Sequence, residues 1–253
     1  MFKKIALAVA ISAAFVGTSF AQDDDGWSGE ASLAGGKTTG NTDTEDLSLG
    51  LKLAKDGDKW RHKFDALADF GKVDGVKSKE RFALGYQIDR DLNERTYVYA
   101  NADWYSDEFG AYDNGYFVGT GLGYKAILPD PIGWNLEAGA GYRSQKQQDY
   151  VIDDPANPGT PLLVDGERFN EFALRGFSDF DYALNDNVSL YNDTEILWSD
   201  SDTYIWNDIG LNAQLMGNLA ARISYRIDHH TDPTPGLKKT DTALRFGVVY
   251  TME

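Results

Sequence analysis

The sequence predicts an all-β chain closed as a single transmembrane, antiparallel up-and-down β-barrel of about twelve strands, with long external loops and short periplasmic turns. Three observations predict it. Stretches that alternate apolar and polar residues recur from Trp27 to the end of the chain; the connections between them alternate short and long; and the tryptophans fall near the ends of the stretches. The segment 219–228 shows the pattern clearly. Leu219, Ala221, Ile223, Tyr225 and Ile227 point one way, and Arg222, Ser224, Arg226 and Asp228 the other. Successive side chains on a strand face opposite sides, so such a segment separates an oily environment from a wet one.

Before the first strand, Lys3 and Lys4 precede an apolar run from Ile5 to Gly17, and Ser19-Phe20-Ala21 supplies small residues where a signal peptidase reads. Residues 1–21 are therefore expected to be a cleaved secretory signal, leaving 22–253 as the outer-membrane barrel. The run is too short to span a bilayer as a helix, which takes roughly 20 apolar residues. No other segment is apolar enough for a helical span, so membrane insertion must be by strands.

Taken in order, the expected strands are 27–35, 46–54, 60–70, 81–90, 96–106, 115–125, 134–145, 168–180, 188–199, 203–215, 219–228 and 241–252. Connections after even-numbered strands are short turns rich in Asp, Asn, Gly and Pro. Those after odd ones are longer, at 36–45, 71–80, 107–114, 146–167 and 229–240, with 200–202 the exception. Outer-membrane barrels carry an even strand number and this same contrast, with short turns in the periplasm. A soluble sandwich has no reason to produce either. The apolar stripes agree: Leu47, Leu49, Leu51 and Leu53 on one strand, Phe82, Leu84, Tyr86 and Ile88 on another, and Leu244, Phe246, Val248 and Tyr250 on the last. Strand 188–199 is poorer, because Asn192 falls in line with Val188, Leu190 and Ile196. Trp27, Trp60 and Trp134 are expected at periplasmic ends and Trp104, Trp198 and Trp206 at external ends, as two aromatic girdles.

Composition narrows the chemistry. The formal net charge is −16, and there is no cysteine. Disulfides, thiolate metal sites and cysteine nucleophiles are excluded, and nucleic acid is a poor partner for so acidic a chain. No Gly-x-Ser-x-Gly turn is present, and the three histidines are His62, His229 and His230. His62 shares the parity of Trp60 and Phe64 and belongs to the wall; His229 and His230 open the last external loop and splay apart if the strand continues through them. Glycine recurs at alternate positions from Gly119 to Gly123, in phase with Gly115, and again at Gly139 and Gly141. A phosphate loop would be followed by a helix, and none follows, so these glycines bend the sheet or make room in the lumen. The chain is read as a non-enzyme with no cofactor, catalytic or metal site.

The candidate functional surface is the polar face turned into the lumen. Its candidate lining residues are Arg61, Lys63, Arg81, Glu137, Arg143, Asp208, Arg222, Arg226 and Arg245, together with Lys52, Glu30, Asp65, Asp103 and Asp193. If these charges pair across strands they close the barrel; if they stay hydrated they line a narrow pore and set its ion preference. Twelve strands lie between the filled eight-stranded barrels and the open large porins, so strand count does not decide. Arg222, Arg226 and Arg245 form the densest basic patch and are expected to attract anions. Ions or small solutes and outer-membrane lipid are the expected partners, with barrel-assembly machinery and periplasmic chaperones during biogenesis. The alternatives are a closed structural or interaction barrel acting through 146–167, and, more remotely, a membrane-embedded hydrolase.

Several motifs carry a family resemblance. Trp27-Ser28-Gly29, Thr38-Thr39-Gly40-Asn41-Thr42-Asp43, Lys59-Trp60-Arg61-His62 and Glu137-Ala138-Gly139-Ala140-Gly141-Tyr142-Arg143 are four; Pro233-Thr234-Pro235-Gly236, running on to Thr240-Asp241-Thr242, is the most specific. Through them the chain resembles the YdiY-like family of salt-induced outer-membrane proteins, a domain of unknown function. The resemblance implies an outer-membrane location and a link to salt or osmotic stress, and no catalytic residue. Two departures are the long insert 146–167 and an ending on Met252-Glu253 rather than on an aromatic residue.

Overall fold

The computed structural model describes residues 26–39, 42–128 and 131–252; the expected signal segment 1–21 lies outside them. Twelve strands close into one barrel. They are β1 (Trp27–Thr38), β2 (Thr44–Asp56), β3 (Trp60–Val73), β4 (Val76–Asp91), β5 (Thr96–Asp107), β6 (Tyr112–Ile127), β7 (Ile132–Gln147), β10 (Arg168–Asn185), β11 (Val188–Ser199), β12 (Thr203–Met216), β13 (Leu219–His230) and β14 (Thr240–Met252). The insert between β7 and β10 holds a separate hairpin of β8 (Tyr150–Asp153) and β9 (Pro161–Val164). Each barrel strand pairs antiparallel with its neighbours in chain order, and β1 meets β14 to close the ring, with Leu33 opposite Val248. Among the described residues the barrel sheet has no free edge, as a strand-built membrane span requires.

The strands run further at the long-loop end than the alternation alone suggested. The expected loop 71–80 is a tight turn instead: β3 ends at Val73, β4 starts at Val76, and Asp74 and Gly75 have φ of 49° and 77°. Asp-Gly suits a two-residue hairpin whose central residues both need positive φ. The charged residues that read as a loop (Lys72, Lys77, Lys79 and Glu80) are paired strand residues. The contrast in connection length therefore rests mainly on 148–167 and 231–239.

Burial is inverted relative to a soluble protein. Leu84, Leu122, Phe172, Leu244 and Phe246 project outward and are exposed, whereas Asp69, Asp89, Glu137 and Arg175 are buried inside. An outer wall of this kind is stable only against lipid. Leu244→Arg should lower barrel stability by about 2–4 kcal/mol if it sits near mid-bilayer, read as an earlier urea midpoint in lipid vesicles, while Leu244→Ile should leave the midpoint in place.

Five tryptophans fit the girdles: Trp27, Trp60 and Trp134 lie exposed at the short-turn end, and Trp104 and Trp198 at the long-loop end. Trp206 does not. It shares the inward parity of Tyr204 and Asp208, and its indole N–H donates to Glu195 Oε1 at 3.3 Å. Asn192 does face outward, and the wall accommodates it locally. Thr194 Oγ1 donates to Asn192 Oδ1 at 3.3 Å, and Asn207 Nδ2 donates to Thr194 Oγ1 at 2.7 Å. Polar groups in a lipid-facing wall need such internal partners. His62 is also on this outer face, 2.9 Å from the Tyr86 hydroxyl.

Candidate functional site in the barrel lumen

An ion pair between strands that are not neighbours has to pass through the interior, so such pairs identify the lumen directly. Lys52 Nζ reaches Asp193 Oδ2 at 3.3 Å, from β2 to β11, five steps round the ring. Arg81 Nη1 reaches Asp228 Oδ1 at 3.5 Å, from β4 to β13, again five steps. Arg245 bridges Asp69 at 3.1 Å and Asp208 at 3.8 Å, and Arg222 meets both oxygens of Glu30 at 2.6 Å. The remaining candidates fall on the same face. Arg61 and Lys63 converge on Asp89 at 3.3 and 3.2 Å. Glu137 accepts from Arg175 at 2.7 Å, Arg143 lies 3.2 Å from Asp202, and Arg226 lies 2.8 Å from Asp228. Arg222, Arg226 and Arg245 thus sit close together, but each is already matched by a carboxylate. The patch that read as anion-attracting is neutralised where it stands.

One side of the lumen is filled by aromatic rings laid over glycines. The register sets Tyr97 opposite Gly123 and Tyr99 opposite Gly121, and all share the inner face. A Cβ at Gly123 would overlap the Tyr97 ring, and one at Gly119 would overlap Phe117. Only glycine leaves room for a ring to lie flat against the wall. Tyr97 is 1% exposed, and its hydroxyl donates to Glu137 Oε1 at 2.8 Å. Gln87 Nε2 donates both to Asp89 and to Glu137 at 2.8 Å. Tyr97, Tyr99 and Phe117 were not among the sequence candidates. The signal for Tyr97 and Tyr99 is alternate aromatics on β5 facing alternate glycines on β6; Phe117 lies on β6 itself, over Gly119 and Gly141.

The long-loop mouth is crossed by a strap. The last loop leaves β13 and crosses to the β5–β6 connection on the far wall. Tyr112 Oη donates to the Asp232 carbonyl at 2.7 Å, Thr234 N and Oγ1 both donate to the Ala111 carbonyl, and Gln148 N donates to Thr234 Oγ1 at 3.0 Å. The Pro-Thr-Pro segment of the family resemblance is therefore the strap itself. Its foot is the buried Asp202 in the β11–β12 link. That carboxylate accepts from Arg143 at 3.2 Å, His230 Nδ1 at 2.7 Å, Thr231 Oγ1 at 3.3 Å and the Asp232 backbone N–H at 3.1 Å. His230 also stacks on Tyr204, with ring centroids 4.6 Å apart. His229 turns the other way, 2.8 Å from Thr240 Oγ1, so the two adjacent histidines share no site.

Burial alone would raise the pKa of Asp202, but the His230 hydrogen bond, the Asp232 N–H and the Arg143 charge outweigh it and hold the carboxyl below its usual range. A depressed folded-state pKa contributes stability above the unfolded value, near 4, and that contribution is lost as pH falls through the folded value. The strap should accordingly loosen below about pH 4, measured as faster protease cleavage within 231–239, and should hold through neutral pH.

Toward the short turns the lumen is filled beside β3–β5, where Asp89 and Tyr97 are buried, and is open beside Lys52 and Asp181. Lys52 keeps 60% of its side chain exposed, and Asp65 and Asp181 are exposed on the same inner face. A cavity of about 350 Å³ opens at that rim beside Asn135, Asp181 and Ser189. Among the described residues, every lumen cation named above is paired, whereas Asp65, Asp103, Asp179 and Asp181 carry no ion pair. The surplus charge in this interior is negative.

A family model described as "Protein of unknown function, DUF481" matches residues 31–252. The chain belongs to the DUF481 family. Among solved structures, it is similar to the translocator domain of the autotransporter NalP from Neisseria meningitidis, at 12% identity over 98% of this chain and 97% of that one, with a TM-score of 0.50. It is also similar to the NanC porin, at 13% identity over 88% and 100%, TM-score 0.51. The COG4313 outer membrane channel from Pseudomonas putida F1 gives 14% identity over 93% and 98%, with a TM-score of 0.51. At these identities the DUF481 chain shares a fold with them, that of outer-membrane barrels. No curated protein matches it.

Proposed function

We propose that this DUF481 protein is an outer-membrane barrel that passively conducts ions or small solutes through a narrow lumen, with a preference for cations. The observation that carries the reading is the acidic surplus of the lumen, exposed at Asp65 and Asp181. Asp65 and Asp181 stand exposed without a counter-charge, an arrangement that a sealed, dry interior disfavours because each buried unpaired charge costs several kcal/mol. Hydrated, they instead set the sign of what enters. The strap crosses the external mouth and the Arg81–Asp228 pair spans the lumen, so a solute passes beside them or displaces the strap. A role under salt or osmotic stress is part of the proposal and follows from the family resemblance. Export by a cleaved signal peptide belongs to it as well. Purified protein in a planar bilayer should give discrete conductance steps; a barrel that is folded, by its mobility on an unheated gel, yet silent would sink the reading.

A second reading has its own observation. In the β8–β9 hairpin Val151 faces Leu163 and Ile152 faces Leu162, and all four are exposed. A free two-stranded hairpin is marginal in water, and large aliphatics on both faces suit contact with another macromolecule. On this reading the barrel is a closed base and the insert is the working part. Excising residues 151–163 should leave the folded barrel and its conductance intact, while abolishing whatever binding the external surface supports.

A further inference from the structure

We propose that Lys52 is the residue that sets the conductance and charge preference of the lumen, acting as a tethered counter-ion strung between opposite walls. The inference rests on the channel reading above and assigns that reading to a particular side chain.

The register supplies the geometry. Lys52 on β2 stands directly between Glu30 on β1 and Asp65 on β3. Across the lumen, Asp193 on β11 stands directly between Asp179 on β10 and Asp208 on β12. Like charges directly opposite one another on neighbouring strands destabilise a sheet, and here three carboxylates run in a single row. Their neutralisation is partial: Asp208 has Arg245 at 3.8 Å and Asp193 has Lys52, while Asp179 meets the Asn135 amide at 3.4 Å and, among the described residues, no cation. A wall selected for stability alone would alternate these charges, as Arg61 and Asp89 do elsewhere.

Lys52 is the most exposed of the lumen cations named above; Lys63, the other lysine, is 35% exposed and shares Asp89 with Arg61 on its own side of the ring. The arginines are less exposed, and several lock into carboxylates through two contacts, as Arg222 does with Glu30 and Arg175 with Glu137 and Glu195. Lys52 carries a flexible stem and a compact hydrated charge. It is largely exposed within the lumen and is held by one contact of 3.3 Å to the far wall. An exposed single ion pair is weak, so it can part and re-form. While formed, it places an ammonium among the carboxylates a permeating cation would meet, lowering the negative potential and narrowing the passage. Rings of charged side chains set selectivity in this way.

The test uses the full barrel in planar bilayers under a KCl gradient, comparing wild type with Lys52→Gln, Lys52→Arg and Asp193→Asn. Lys52→Gln keeps the stem and removes the charge; it should raise single-channel conductance by about twofold or more and move the reversal potential toward that of potassium. Lys52→Arg should stay near wild type. Asp193→Asn frees the ammonium and removes an anion, so its reversal potential should move toward that of chloride. A conducting wild type whose Lys52→Gln variant matches it in both conductance and reversal potential overturns the proposal and leaves the channel reading standing. Folded but silent wild type and folded but silent Lys52→Gln together overturn the channel reading itself.

Discussion

Tyr97→Ala is expected to lower barrel stability by about 3–5 kcal/mol, the range for removing a buried aromatic ring. The ring lies flat over Gly123, carries the Arg61 guanidinium 5.0 Å from its centroid and donates its hydroxyl to Glu137. Truncation therefore removes packing, a cation–π contact and one of the Glu137 hydrogen bonds together. The glycine wall cannot collapse inward to fill the gap, because a closed sheet holds its register. A urea titration followed by the folded gel band should show the earlier midpoint. The reciprocal change, Gly123→Val, adds bulk where the ring already lies and should cost about 1–3 kcal/mol by overpacking. Tyr97→Phe should fall well short of Tyr97→Ala, since it keeps the ring and loses only the hydroxyl.

Asp202→Ala is expected to have an effect of similar size through a different cause. Arg143 is 4% exposed, and with Asp202 gone its guanidinium keeps the Ser199 hydroxyl and the main-chain carbonyl of residue 202 but no counter-charge. Removing one partner of a buried pair typically costs about 3–5 kcal/mol. The loss should be local as well as global, because His230, Thr231 and the Asp232 N–H are released at the same time. Protease cleavage within 231–239 should then appear at neutral pH, where wild type resists. Asp202→Asn, which still accepts from Arg143, should be milder than the alanine variant.

Much of the barrel was legible because its physics is periodic. A lipid-facing wall demands an unbroken alternation, and Leu47 to Leu53 or Leu244 to Tyr250 supply it without ambiguity. The same parity places the inward residues, which is why Arg61, Arg81, Arg222 and Asp208 all fall on one face. For Trp206 nearness to a strand end suggests the girdle, but its alternation with Tyr204 and Asp208 points inward, and parity prevails. The turn at Asp74-Gly75 was hidden by lysines that read as a loop, although Asp-Gly between alternating residues is a hairpin signal. Asp179 follows Arg175 and Phe177 at even spacing, so its orientation was readable. What no single strand could show is which charges meet across the lumen. The Lys52–Asp193 and Arg81–Asp228 contacts depend on closure of the ring and the stagger of its strands. The crossing of the Pro233–Pro235 strap to Ala111 likewise depends on a loop path that no periodicity specifies.

The central claim is that the lumen conducts and that its surplus charge is negative. The reversal potential of wild-type channels in a planar bilayer under a KCl gradient tests it most directly. The account predicts a value displaced toward the potassium equilibrium potential, with the displacement shrinking as salt screens the carboxylates; a value displaced toward chloride would contradict it.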